Sequence, residues 1–158
     1  MTETLCEQII ARIGQTIGLY HRLVLTVAPS GSGKTRALQE VARRRNGPLI
    51  NVNLELGRRL LDLTHWHRSL HVAQLLGDIV EGLEHQVVLL DNPEILFDAS
   101  LRQDPLRLLQ ALSRNRTAVA AWNGTLENGH LVYVVPDHPE YRRYPALDLV
   151  IASPMADL

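Results

Sequence analysis

A chain of 158 residues, 46% of them hydrophobic, has material for one domain with a real core and little room for a second. The formal net charge of -1 gives no general reason to expect nucleic acid or an anionic membrane as partner, although a local basic patch stays open. A single cysteine, Cys6, excludes a disulfide framework, and no stretch approaches the ~20 apolar residues that span a bilayer. The N-terminus has acids near its start and no long apolar core, so it lacks the pattern of a secretory leader. The expectation is a soluble cytoplasmic protein.

In chain order, residues 3–19 carry Leu5, Ile9, Ile10, Ile13 and Ile17 at helical spacing and predict an amphipathic helix. Leu23 to Val27 is a short apolar, β-branched run, a buried strand. The bare stretch "APSGSGKT" (28–35) follows, then the helix "KTRALQEVARRR". Arg43, Arg44 and Arg45 suit its negative end, and Asn46-Gly47-Pro48 stops it. "PLINVNLEL" (48–56) predicts a second strand, and residues 57–84 one or two helices. "QVVLLDN" (86–92) predicts a third strand, apolar enough to be buried on both faces. Residues 104–114 form a helix with Leu106, Leu109 and Leu112 inward. "TAVAAWNG" (117–124) and "DLVIAS" (148–153) are the fourth and fifth strands.

Strands alternating with helices imply an α/β fold, here a five-stranded, mostly parallel sheet with helices on both faces. One segment breaks the alternation. Asn128-Gly129, between "GTLE" and "HLVYVV", predicts a β-hairpin after the fourth strand, where a plain α/β fold has a helix. No repeat or linker interrupts the chain, so residues 1–158 are expected to be a single domain.

The stretch at 28–35 carries the chemistry. Fifteen of the 16 basic residues are arginine, and the lone lysine is Lys34. Arginine is a wide planar fork, lysine a compact charge on a thin stem. Ala28, Gly33, Lys34 and Thr35 satisfy [Gly/Ala]-x-x-x-x-Gly-Lys-Thr between a strand and a helix, and so resemble the P-loop (Walker A) motif. Phosphate oxygens must approach the main-chain amides closely; side chains at Gly31 and Gly33 would obstruct them, and glycine permits the torsions. The expected nucleotide-binding residues are Pro29, Ser30, Gly31, Ser32, Gly33, Lys34, Thr35 and Arg36. Lys34 is expected to reach the terminal phosphates of ATP, and Thr35 to ligate Mg²⁺.

Asp91 ends the apolar run Val87–Leu90 and is expected to hold Mg²⁺ through water. In many ATPases that this chain resembles, a glutamate directly follows that aspartate; here Asn92 does, and an amide positions water but cannot take its proton. Glu94, two residues further, either swings in as the base or starts the next turn. Asn123, at the tip of the fourth strand, is the candidate γ-phosphate sensor, or else a turn former before Gly124. In the ATPase branch that the chain resembles, that strand lies between the first and third. Arg142 and Arg143, just before the fifth strand, are candidate arginine fingers toward a neighbouring subunit, with a solvated pair on a short helix as the alternative. Arg114 and Arg116 rank behind them. No C-terminal helical lid of the kind usual in such ATPases is expected after the fifth strand, and the expectation is then that a partner covers the nucleotide or that affinity is modest. His65, His67 and His71 are read as exposed helix residues rather than a metal site, and Trp66 and Trp122 as core or interface.

Together, residues 23–56 and 86–153, with "APSGSGKT", "LLDNPEILF", "WNG" and a late "PDHPEY", resemble the BrxF family, small P-loop proteins of type III BREX phage-defence systems. The resemblance implies a bacterial cytoplasmic protein working beside a large ATPase, a DNA methyltransferase and a phosphatase-like protein in restricting phage DNA; a homo-oligomer on nucleotide binding is expected from Arg142 or Arg143 tying subunits together. The leading expectation is an ATP-dependent assembly switch with weak or partner-stimulated ATPase activity. A small-molecule kinase is the first alternative, though residues 95–116 show no glycine-hinged lid. A nucleic-acid-binding module built on the hairpin at 125–135 is the second, though that hairpin carries no lysine or arginine.

Overall fold

A computed structural model describes residues 4–83, 85–133 and 142–154. It is an α/β protein whose sheet is mostly parallel. Along the main path the strands run β2 (Leu49–Asn51), β3 (Val87–Asp91), β4 (Thr117–Glu127), β1 (Leu23–Ala28) and β7 (Val150–Ala152), each parallel to its neighbours. β4 thus lies between β1 and β3.

Alternation along these strands divides the core in two. Val24, Leu89, Val119, Ala121 and Ala152 pack against α1 (Leu5–Gln15) and α2 (Lys34–Arg45). Leu25, Val27, Leu90, Ala120 and Ile151 face the other way, onto α3 (Val52–Leu60), α4 (His65–Glu81) and α5 (Pro105–Leu112). Helices therefore cover both faces. α1 stops earlier than its periodicity predicts: Thr16 caps it, Gly18 turns at φ +91°, and Ile17 is left exposed.

The second strand is also shorter than predicted. After Asn51 the chain turns into α3, with the Asn51 side chain accepting from Leu54 N. Val52, Leu56 and Leu60 are buried one turn apart, while Leu54 is left outside. The span 57–84 accordingly holds the end of α3 and, after Thr64 caps it, α4.

The hairpin forms where Asn128-Gly129 predicts it, with both residues at positive φ. β4 runs on beyond Asn123 into its first arm, and β5 (His130–Tyr133) returns antiparallel. β6 (Arg142–Pro145), not anticipated, adds a third antiparallel strand. This corrects the placement of Arg142 and Arg143, which stand on a strand paired with β5 and not on a helix. Leu131 and Tyr133 join the core on the face of α3–α5, so the hairpin does the covering that a helix would do. Gly124 makes the crossing possible: a Cβ there would lie 1.8 Å from Val132 O. Trp122 Nε1 donates to that same oxygen at 3.3 Å. Trp122, Phe97 and Tyr133 form one aromatic cluster, with Phe97 and Tyr133 stacked at 3.5 Å between centroids and Trp122 edge-on to both.

Candidate functional site

The loop between β1 and α2 is exposed from Pro29 to Gly33, yet the lysine that follows is buried, 6% exposed. Gly31 and Gly33 take φ of +82° and +88°, a conformation that side chains disfavour, and a Cβ at either would meet nothing within 4 Å. The glycines therefore serve the torsions of an open concavity, not tight packing. Lys34 Nζ turns back beneath this arch and donates to Ala28 O at 2.6 Å and Pro29 O at 2.8 Å. Burial pushes its pKa below the usual lysine range, and the nearby carboxylates of Glu94 and Asp91 oppose that shift.

The N-terminus of α2 differs from those of the other α-helices. Thr4, Asn51, Thr64 and Asp104 each accept main-chain N–H bonds at the starts of α1, α3, α4 and α5. At the start of α2 stands Gly33, with no side chain to cap the first amides. The loop thus combines an ammonium, a helix N-terminus with uncapped donors and the exposed Thr35 hydroxyl.

Facing it are the carboxyl ends of β3 and β4. Asp91 is buried, lies two residues beyond Leu89 and so shares the α2 side of the sheet. Its Oδ1 accepts from Asn92 N at 3.0 Å. Asn92 takes φ +50°, which asparagine tolerates, and its carbonyl accepts from Asn53 N at 2.9 Å. Asn123 pairs in register with Ala28, at the root of the loop.

Glu94 opens a 3₁₀ turn, Glu94–Phe97, that carries its carboxylate back toward the strand tips. There it is held from two sides. Asn123 Nδ2 donates to Oε1 at 2.6 Å, and Asn53 Nδ2 donates to Oε2 at 3.0 Å. Asn53 Oδ1 in turn accepts from Ile95 N at 2.8 Å. The structure thus joins Glu94 to Asn123 and adds Asn53, which the sequence reading missed. Its signal was faint: a second polar residue just past the tip of the strand beside β3, within a run that looked like strand.

Arg142 pairs in register with Tyr133, which in turn pairs with Gly124, next to Asn123. Arg143 Nη2 lies 3.3 Å from His130 Nδ1. Arg116 Nη1 is tied to Val80 O at 3.0 Å and Leu83 O at 2.7 Å, and Arg114 lies over the Tyr20 ring. His67 Nδ1 is 3.0 Å from Thr64 Oγ1, and the His67 and His71 rings are 6.2 Å apart. Trp122 is core, whereas Trp66 is exposed. Among the described residues, no helix is long and apolar enough to cross a membrane. The chain matches no protein-family model and no curated protein.

Proposed function

We propose that the chain is a P-loop nucleotide-binding protein that takes Mg·ATP on residues 28–36 and hydrolyses it slowly, as a nucleotide-gated assembly switch in bacterial phage defence of the BREX kind. The observation that carries the nucleotide reading is the buried Lys34 ammonium, held on two main-chain carbonyls beside the uncapped start of α2. An ammonium kept under an open arch with only neutral acceptors suits an incoming anion, which offsets the cost of burying it. The donors fit a magnesium–triphosphate: Lys34 for the terminal phosphates, Thr35 and buried Asp91 for the metal. Bound magnesium supplies charge neutralisation across those phosphates.

With Asp91 assigned to the metal, Glu94 is the carboxylate left to accept a proton from water, and both its oxygens are engaged by amides. A carboxylate so held is a poor base until Asn53 or Asn123 lets go. This supports slow turnover that a partner quickens by moving α3 or the tip of β4. Arg142 and Arg143 remain the candidates for reaching a neighbouring subunit, through an assembly that nucleotide promotes.

Phosphate release under saturating Mg·ATP tests the reading. Wild type is expected to turn over slowly, Asn53→Ala about tenfold faster through release of the carboxylate, and Glu94→Gln at background. Equal rates in all three would remove Glu94 from the mechanism.

A further inference from the structure

α4 presents an outward stripe on which two kinds of pair lie side by side. Trp66 and Leu70, one turn apart, are 68% and 59% exposed. His67 and His71, each the next residue along, repeat that spacing and are exposed as well. Their rings stand 6.2 Å apart. Thr64, which caps the helix, places Oγ1 3.0 Å from His67 Nδ1; this occupies that nitrogen and leaves Nε2 as the ligand atom. Rotation of the exposed side chains then suffices to bring two imidazoles to one ion, at the ~2.0–2.1 Å of a zinc–nitrogen bond. From sequence these histidines read as exposed helix residues. Exposed they are, but the structure adds an orienting hydroxyl and a bare apolar pair beside them.

We propose that α4 is a zinc-dependent two-fold interface: a second copy of this chain packs its Trp66 and Leu70 against the first, and His67 and His71 of both copies share one Zn²⁺. Two imidazoles fill half of the tetrahedral shell that zinc takes, and a two-fold axis through the ion supplies the other half. Among the described residues, no third His, Cys, Asp or Glu joins the pair. The stripe also suits self-pairing. From Trp66 to Gln74 the one residue of fixed charge is Arg68, whose Nε donates to its own chain at Leu60 O and Leu63 O, 2.9 and 3.0 Å away. Two copies therefore meet without setting like charges face to face. The interface goes beyond the nucleotide reading and needs no nucleotide to form.

Sedimentation velocity of the tag-free protein, stripped with EDTA and then given Zn²⁺ without nucleotide, tests this. A monomer in EDTA is expected, and with zinc a dimer holding one ion per two chains. Co²⁺ in place of zinc should give the visible absorption of a tetrahedral ion. His71→Ala should weaken zinc binding by more than about tenfold and leave a monomer. Leu70→Arg, at an exposed position, should keep the metal-free melting temperature and lose the dimer, because it sets two like charges face to face. A particle that stays monomeric at every zinc concentration would overturn the proposal. So would a monomer that takes one ion by itself, a dimer that persists in EDTA, or a dimer that either variant forms as readily as wild type.

Discussion

Burying the Lys34 ammonium is costly to the folded protein. Its pKa is lowered chiefly by burial, so the unfolded chain holds that proton more firmly than the folded one. Stability then rises with pH from the lowered folded value up to the ordinary value of 10.5, wherever the unfolded state binds more protons. In urea titrations between pH 7.5 and 10, wild type should gain on Lys34→Met as pH rises. A difference independent of pH would mean that the ammonium is not penalised. Nucleotide should reverse the ranking at neutral pH, since the phosphates favour the charged form. Lys34→Arg should fail to restore binding, because a planar fork does not fit where a thin stem passes beneath the arch. The lysine was legible from sequence because local residues alone make the loop. Glu94 was legible only as a candidate, because its partner Asn53 stands 41 residues earlier and meets it through the fold.

At the scale of elements, the misreading of 48–56 is instructive. "NVNLEL" alternates polar and apolar like a strand, yet Val52, Leu56 and Leu60 also fit a helix. Both patterns are satisfied until Leu54 is placed, and it is 47% exposed, so the helical set won the core. The hairpin was legible because Asn-Gly fixes its turn locally; β6 was not, because "RRYP" has no apolar alternation and becomes a strand through the edge that β5 offers. Gly124→Ala should cost about 2 kcal/mol or more, as the added methyl must push Val132 O away. Chemical denaturation measures this, and a near-neutral result would contradict the close crossing. β6 is fastened through Tyr144, whose hydroxyl donates to Asp104 Oδ1 at 2.9 Å. Burial, and then Asp104, push the tyrosine pKa upward. Above pH 10 the unfolded state loses this proton first, so stability should fall with rising pH, and Tyr144→Phe should flatten that alkaline decline.

Across the whole molecule, the parallel sheet brings residues from four parts of the chain to one edge: Lys34 after β1, Asn53 after β2, Asp91 at the end of β3 with Glu94 beyond it, and Asn123 on β4. That is where open α/β sheets place their ligands. Beneath it, the sole phenylalanine and one of two tryptophans pack the Glu94 turn against β4 and β5, which joins the hairpin to the site through one aromatic cluster. If nucleotide gates assembly, a non-hydrolysable ATP analogue should raise the particle mass, and Arg142→Ala with Arg143→Ala should abolish the increase. The most direct test of the account is isothermal calorimetry of Mg·ATP with wild type and Lys34→Ala. Saturable heat for wild type and none for the variant is the predicted result; no heat from wild type up to millimolar nucleotide would contradict it.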